Sequence, residues 1–175
     1  MKPRAFFPSI SVACLALALS ACRPVDETRF LNFDAETSAG ALTSGWSGFE
    51  KTGDNDSFVW AQARTSTVTV SSRAKGDQLV RFRCWPFGFP GSPAQVATLF
   101  VNGGRIDSVP LAGGARVYSF ATPEALWKSG PNEIRFEFTY AEAPKDRVPG
   151  NSDPRTLSVA FDWLEVLPAK PEKKG

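Results

Sequence analysis

Aromatic and cationic side chains are concentrated at residues 81–89, where the sequence is best suited to bind a ligand. Trp85, Phe87 and Phe89 are interleaved with Pro and Gly, which stiffen a loop, and Arg81 and Arg83 precede them. Flat rings can stack on the C–H faces of sugars, while guanidinium groups can bond hydroxyls or acidic groups. The rings can equally fold back and cap the core, which is the commoner fate of large aromatic side chains.

The segment Leu79–Trp85 alternates between two sets of side chains. One set is apolar and the other is cationic or amphipathic: Val80, Phe82, Cys84 and Arg81, Arg83, Trp85. We expect the second face to be partly wet, because burying two unpaired guanidinium groups is costly. A wet Trp beside two fixed cations would suit an acidic or sulfated glycan, because it offers one ring for stacking and two guanidinium groups for anions. The alternative is that the arginine stems lie across the Trp85 ring as a cation–π stack without a ligand. By the same alternation, Cys84 is predicted to be a small, buried hydrophobic side chain.

Two polar segments offer other chemistry. Asp54–Asp56, with Glu50 or Asp162, has oxygen atoms suited to Ca²⁺. Such a cation needs about 6–8 ligands, so a solvated turn is the better interpretation and we predict no metal site. The loop 141–155 carries Glu142 and Asp146, a conceivable acid/base pair, but nothing in the sequence fixes their separation. An ion-paired surface loop is the simpler prediction.

Composition excludes several classes of function. The chain contains no histidine, which removes His-based triads, His metal ligands and His general bases. Its net charge of +2 comes from Lys2 and Arg4, since setting them aside leaves 18 basic and 18 acidic residues. A neutral domain does not favour a nucleic-acid partner. We predict a non-catalytic protein without a cofactor.

The N-terminal segment has the order of an export signal. Lys2 and Arg4 precede an apolar stretch, which ends in Leu19-Ser20-Ala21-Cys22. An aliphatic residue, two small residues and a cysteine match the lipobox of bacterial lipoproteins, in which the cysteine sulfur accepts lipid. We therefore predict a signal peptide at 1–21, and a lipid anchor on Cys22 with a tether at 22–28. Arg23, and not an Asp, directly follows Cys22, which favours the outer membrane within the cell envelope.

The remainder predicts an all-β fold. Short segments with period-two alternation are separated by Gly-, Asn- and Pro-rich turns, as in 133–140, where Ile134, Phe136 and Phe138 alternate with charged residues. We predict an antiparallel β-sandwich at 29–167 and a disordered tail at 168–175. Thr122 and Pro123 are predicted to begin a single helical turn. The apolar segments 96–101 and 157–166 are expected to be central strands.

Several segments resemble known β-sandwich families. Asn102-Gly103, Gly130-Pro131-Asn132-Glu133-Ile134 and the closing segment Val159–Val166 resemble galactose-binding-like jelly rolls. The segments Gly45–Glu50, Arg81–Phe87 and Pro90–Pro93 resemble β-sandwich segments that accompany envelope sulfatases. The resemblance implies a jelly roll over about residues 45–167. The sulfatase nucleophile motif, Cys/Ser-x-Pro-x-Arg, does not occur in the sequence.

Two functions remain open at this point. The first is a membrane-anchored lipoprotein that binds glycan without catalysis, through Arg81, Arg83, Trp85, Phe87 and Phe89. The second is a structural or accessory module that docks onto an envelope enzyme such as a sulfatase. Exposed rings in the loop would favour the first, and a broad apolar patch elsewhere would favour the second.

Overall fold

A computed structural model describes residues 29–34, 38–53, 57–72 and 75–169. Cys22, the predicted signal peptide and tether, the turn 54–56 and residues 170–175 lie outside this part of the chain. The described residues form two antiparallel sheets, which confirms the predicted antiparallel β-sandwich. Within them, no helix has the length and apolarity needed to cross a membrane.

The first sheet, called sheet A, has six strands. They are β1 (Arg29–Asn32), β3 (Trp46–Lys51), β4 (Ser57–Ala61), β6 (Gln78–Pro86), β9 (Arg116–Thr122) and β11 (Val159–Pro168). Their spatial order is β3-β4-β11-β6-β9, and β1 also pairs with β11. β4 pairs with residues 159–161 of β11, whereas β1 pairs with residues 163–166 on the same side. β11 is therefore the central strand that the apolar segment 157–166 predicts.

The second sheet, called sheet B, has five strands in the order β2-β5-β10-β7-β8. They are β2 (Leu42–Ser44), β5 (Thr65–Ser72), β7 (Val96–Val101), β8 (Gly104–Pro110) and β10 (Gly130–Phe138). A two-residue turn joins β7 to β8, with φ of 47° at Asn102 and 85° at Gly103. Positive φ at both positions is the type I′ geometry that Asn-Gly favours, because it matches the twist of the strands.

The core lies between the two sheets and is rich in phenylalanine. Phe136 of β10 is fully buried, and its ring lies 5.0 Å from Phe82 of β6 and 4.9 Å from Phe161 of β11, between ring centroids. One ring thus joins three strands from both sheets. Cys84 is fully buried beside them, and burial raises the pKa of its thiol, as expected for a small hydrophobe rather than a reactive group.

The chain crosses from sheet B to sheet A at Gly45, between β2 and β3. Its φ is 77°, and its carbonyl accepts hydrogen bonds from the Gln62 backbone N–H and the Ser66 hydroxyl, each at 2.8 Å. A Cβ atom here would overlap the Thr65 carbonyl oxygen. Gly45 therefore allows a corner that closes this edge of the sandwich.

A one-residue β-bulge interrupts β11. Phe161 pairs with Cys84 and Trp163 pairs with Arg83, so Asp162 is the extra residue. The bulge shifts the alternation, so Phe161 and Leu164 both face the core. Asp162 and Trp163 consequently belong to the outside of sheet A.

Some sequence predictions about local structure were wrong. The strands β2 and β3 were not predicted, because Ser44, Gly45 and Gly48 break any alternation. The helical turn at Glu124–Leu126 exists as a 3-10 turn, but its N-cap is Pro123 rather than Thr122. Thr122 is instead the last residue of β9, where its hydroxyl accepts a hydrogen bond from the Trp127 indole. The loop 141–155 contains a short helix, α1 (Pro144–Arg147).

Candidate functional site

The outer surface of sheet A carries a group of aromatic side chains. We call it the aromatic face, and it comprises Phe30, Phe58, Trp60, Trp85 and Trp163, with Arg81, Arg83, Asp162 and Glu165 between them. All of these residues belong to hydrogen-bonded strands. The sheet therefore fixes their spacing before any ligand arrives.

Two tryptophans flank an alanine across three adjacent strands. Ala160 of β11 pairs with Trp60 of β4 on one side and with Trp85 of β6 on the other. Ala160 points outward, yet it has no exposed surface, because the neighbouring side chains cover it. Phe58 is two residues from Trp60 on the same strand, with its ring 5.3 Å from Trp85 and 6.1 Å from Trp60. The indoles are half-buried and form a platform above the small residue.

The loop after β6 extends this platform. The Phe87 ring lies 6.3 Å from Trp60 and 5.7 Å from Phe89, whose ring lies 5.6 Å from Tyr140. The Tyr140 hydroxyl donates to the Phe87 carbonyl at 2.6 Å. Phe87 and Phe89 remain half-buried, so the loop neither points freely outward nor disappears into the core. The sequence allowed either exposed rings or rings buried against the core, and the observed burial is intermediate between the two.

Both arginines of the face are ion-paired. Arg81 contacts Glu165 at 2.6 Å, and Arg83 contacts Asp162, the extra residue of the bulge. Parity correctly predicts that Arg81, Arg83 and Trp85 share one face of β6. The sequence does not indicate their partners: β11 brings a carboxylate to each guanidinium group.

A second aromatic pair lies along β11. The Trp163 ring is 5.9 Å from that of Phe30, and the Arg81 guanidinium lies 5.9 Å from the centroid of the Trp163 ring. Phe30 is 54% exposed, which is unusual for a phenylalanine. The cation–π contact expected at Trp85 therefore involves Trp163 instead.

An arginine from the loop 141–155 closes one border of the face. Arg155 contacts Glu50 of β3 at 2.5 Å and Asp153 at 2.7 Å. Hydrogen bonds from Arg155 hold the pKa of the Asp153 carboxyl below its ordinary value, while Asp153 and Glu50 raise the pKa of Arg155. This cluster ties the long loop to the edge strand of sheet A.

The same loop reaches the aromatic residues after β6 through α1. Arg147 lies 5.4 Å from the centroid of the Phe89 ring and contacts Glu142 at 3.0 Å. The hydrogen bond to Glu142 raises the pKa of Arg147. Glu142 is thus engaged in an ion pair, in line with the predicted ion-paired loop. Burial is the main cause that raises the pKa of the neighbouring Tyr140.

The residues considered for calcium have other partners. Glu50 contacts Arg155 and Asp162 contacts Arg83, while Asp54–Asp56 lies outside the described residues. Across residues 29–34, 38–53, 57–72 and 75–169, no group of three or more His, Cys, Asp or Glu side chains is arranged to hold a metal ion.

Another concave region lies at the β2–β3 corner. It has a volume of about 360 Å³ and is lined by Leu42, Trp46 and Phe49, among others. The Trp46 indole N–H already donates to the Thr67 carbonyl at 2.7 Å, and the Ser47 hydroxyl bonds to Gly48 and Trp60. Because its polar groups are engaged internally, this region is a weaker candidate than the aromatic face.

Sequence reasoning identified three of the nine residues of the face, Arg81, Arg83 and Trp85. The other six, and the neighbouring Ala160, were not among the predicted glycan-binding residues. The alternation of 57–61 could have indicated that Phe58 and Trp60 share a side opposite to Val59 and Ala61. Their position beside Trp85 follows only from the pairing of both β4 and β6 with β11.

Comparisons with known proteins establish the fold. No protein-family model and no curated protein sequence matches the chain. Among solved structures, the C-terminal CBM6 of the marine laminarinase LamC from Zobellia galactanivorans aligns with a TM-score of 0.50 at 10% identity, covering 81% of this chain and 99% of that one. A family 35 carbohydrate-binding module from an environmental isolate gives 0.50 at 16% identity, covering 81% and 97%.

A family 35 carbohydrate-binding module from Clostridium thermocellum also aligns with a TM-score of 0.50, at 11% identity, covering 79% of this chain and 98% of that one. The three likenesses extend over nearly the whole of each module. They confirm that the described domain is a jelly-roll β-sandwich, as the sequence predicts.

Proposed function

We propose that the aromatic face binds a glycan chain without catalysis. The observation that carries the proposal is the fixed pair of half-buried indoles, Trp60 and Trp85, on either side of Ala160. Aromatic rings held by strands lose little freedom on binding, so the contact with the apolar face of a sugar is preorganised. Trp163 and Phe30 continue the aromatic surface along the strands.

The polar groups around these rings suit a hydroxylated ligand. Carboxylates of Glu165 and Asp162 and the guanidinium groups of Arg81 and Arg83 border the indoles and retain exposed edges. A few polar groups around an apolar floor fix the orientation of a bound ligand. The shared fold of the carbohydrate-binding modules described above supports the same proposal.

A glycan array, followed by isothermal titration with the best ligand, tests this proposal. Trp85→Ala and Trp60→Ala should each weaken binding by about 30-fold, the effect of losing an anchor worth about 2 kcal/mol. Phe100→Ala is the matched control, because Phe100 is a half-buried ring on the outer side of sheet B, beneath Arg135. Failure of every glycan to bind the folded protein, or equal losses in all three variants, would reject the aromatic face as the site.

We further propose that this domain is held at the cell envelope, in the outer membrane, by lipid on Cys22. The lipobox Leu19–Cys22 supports this assignment, and the described residues do not include it. Cys22→Ala should abolish labelling by palmitate and move the protein out of the detergent phase. Unlabelled wild-type protein would contradict the anchor without affecting the glycan proposal.

Docking onto an envelope enzyme such as a sulfatase is the second candidate. Phe30 at 54% and Val117 at 46% exposure are apolar side chains on the outside of sheet A, and docking would cover them. They are separated by β11 and β6 rather than forming a broad patch. If docking is the function, Phe30→Ala should weaken binding to a purified envelope sulfatase of the same organism, while Phe100→Ala should leave it unchanged. No binding by the wild type would exclude that partner.

A further inference from the structure

We infer that the aromatic face accepts an uncharged glycan and discriminates against sulfated or uronic-acid chains. This inference rests on the proposed function and names the ligand class of the same site. It follows from how the cations of the face are occupied, which reverses the preference that the isolated sequence of β6 suggests.

The two arginines on the face are neutralised by the neighbouring strand. Arg81 pairs in register with Glu165 and contacts its carboxylate at 2.6 Å. Arg83 contacts Asp162, whose side chain is only 10% exposed. A ligand anion would therefore meet guanidinium groups whose charge is already balanced by carboxylates of β11.

The arginines at the borders of the face are also ion-paired. Arg155 contacts Glu50 and Asp153, and Arg147 contacts Glu142 beside the loop after β6. Together with the two central pairs, four guanidinium groups face five carboxylates. The ion-paired groups on and around the face therefore carry a net charge of −1.

This balance determines which ligands the face favours. An anionic sugar brings a further negative charge to ion-paired groups that already carry one surplus carboxylate, and like charges placed together oppose binding. A neutral sugar avoids that repulsion, because its hydroxyls can donate to the carboxylates and accept from the exposed edges of the guanidinium groups. The indoles stack on either ligand, so the ion pairs determine the selectivity.

Matched ligands on one sugar backbone provide the first test. Isothermal titration should show at least about tenfold tighter binding of a neutral oligosaccharide than of its sulfated or carboxylated derivative at low ionic strength. Salt should narrow this difference, because it screens the repulsion. Tighter binding of the charged derivative would overturn the inference while leaving the proposed function intact. Failure of both to bind would reject the proposed function.

Inorganic sulfate tests the charge balance without any sugar. We would follow the NMR signals of the Arg81 Nε–H and the Trp163 indole N–H. The wild type should show no saturable shift over the sulfate concentrations that saturate Glu165→Gln, which sets its affinity at least about fivefold below that of the variant, as expected for a partly exposed ion pair. Glu133→Gln is the control, because Glu133 is an exposed carboxylate on sheet B. Saturable sulfate binding at Arg81 in the wild type, or no gain in Glu165→Gln, would overturn the inference.

Discussion

Trp60 and Trp85 pair with Ala160 from opposite sides, and Ala160 has no exposed surface although it points away from the core. The spacing between the indoles thus depends on the smallest chiral side chain. Any larger residue at this position must displace at least one ring. The relationship links the composition of a single strand to the shape of the proposed binding surface.

The first prediction concerns this alanine. Ala160→Val should destabilise the protein by about 1–3 kcal/mol through overpacking, and it should alter the tryptophan fluorescence because the indoles separate. Chemical denaturation and emission spectra measure the two effects. Ala121→Val is the control, since Ala121 is exposed on β9 and should change stability by less than about 0.5 kcal/mol. Equal effects at the two positions would show that the indoles do not enclose Ala160.

The second prediction concerns the ring that joins the sheets. Phe136→Ala should cost about 3–5 kcal/mol of unfolding free energy, because it removes contacts with both Phe82 and Phe161. Glu133→Ala, on the solvent side of the same strand, should stay within about 0.5 kcal/mol. Urea titration followed by circular dichroism measures both. A small loss for Phe136→Ala would mean that the core does not depend on this ring.

The third prediction concerns the corner between the sheets. Gly45→Ala should destabilise by at least about 2 kcal/mol, because its positive φ is unfavourable for alanine and the added Cβ would overlap the Thr65 carbonyl. Gly48→Ala has open space and an ordinary φ, so it should cost much less. Thermal melting of the two variants provides the comparison. Similar melting temperatures for the two variants would contradict the claim that the conformation at position 45 requires glycine.

The fourth prediction concerns the stability of the protein at low pH. Arg155 lowers the pKa of Asp153, so this pair adds stability above the unfolded-state pKa of about 3.9 and loses it as the pH falls through the folded-state pKa. NMR titration of the Asp153 carboxyl should show a midpoint below its ordinary value. The Arg155 Nε–H signal should shift with the same midpoint, and Asp153→Asn should remove that component. A midpoint at or above the ordinary value would contradict the pairing.

Alternation in the sequence was sufficient to predict strands with one wet and one dry face. β6 and β10 follow it throughout, so the placement of Phe82, Phe136 and Trp85 could be predicted. β2 and β3 could not, since both are edge strands rich in Gly and Ser, and their position depends on the turn at Gly45.

The ion pairs of the aromatic face could not be predicted from the local sequence pattern. Strict alternation along β11 would place Asp162 on the same side as Leu164, facing the core. The bulge moves Asp162 to the outside, where it meets Arg83, 79 residues earlier in the chain. Neither the bulge nor the pairing of β6 with β11 has a signature in either segment alone, so the ion pairs of the two arginines could not be predicted.

β1 and β4 pair with different halves of the same side of β11, so the two ends of sheet A differ. Arg29 pairs with Val166, and Pro168 pairs with Gln78, so the first and last described strands meet at one end of sheet A. Trp60 and Trp85 lie at Ala160, roughly 20 Å further along β11 at the usual rise per residue. A tether upstream of Arg29 would hold the domain at this end of sheet A. The two indoles would then lie on the side away from the attachment point, where a ligand could reach them.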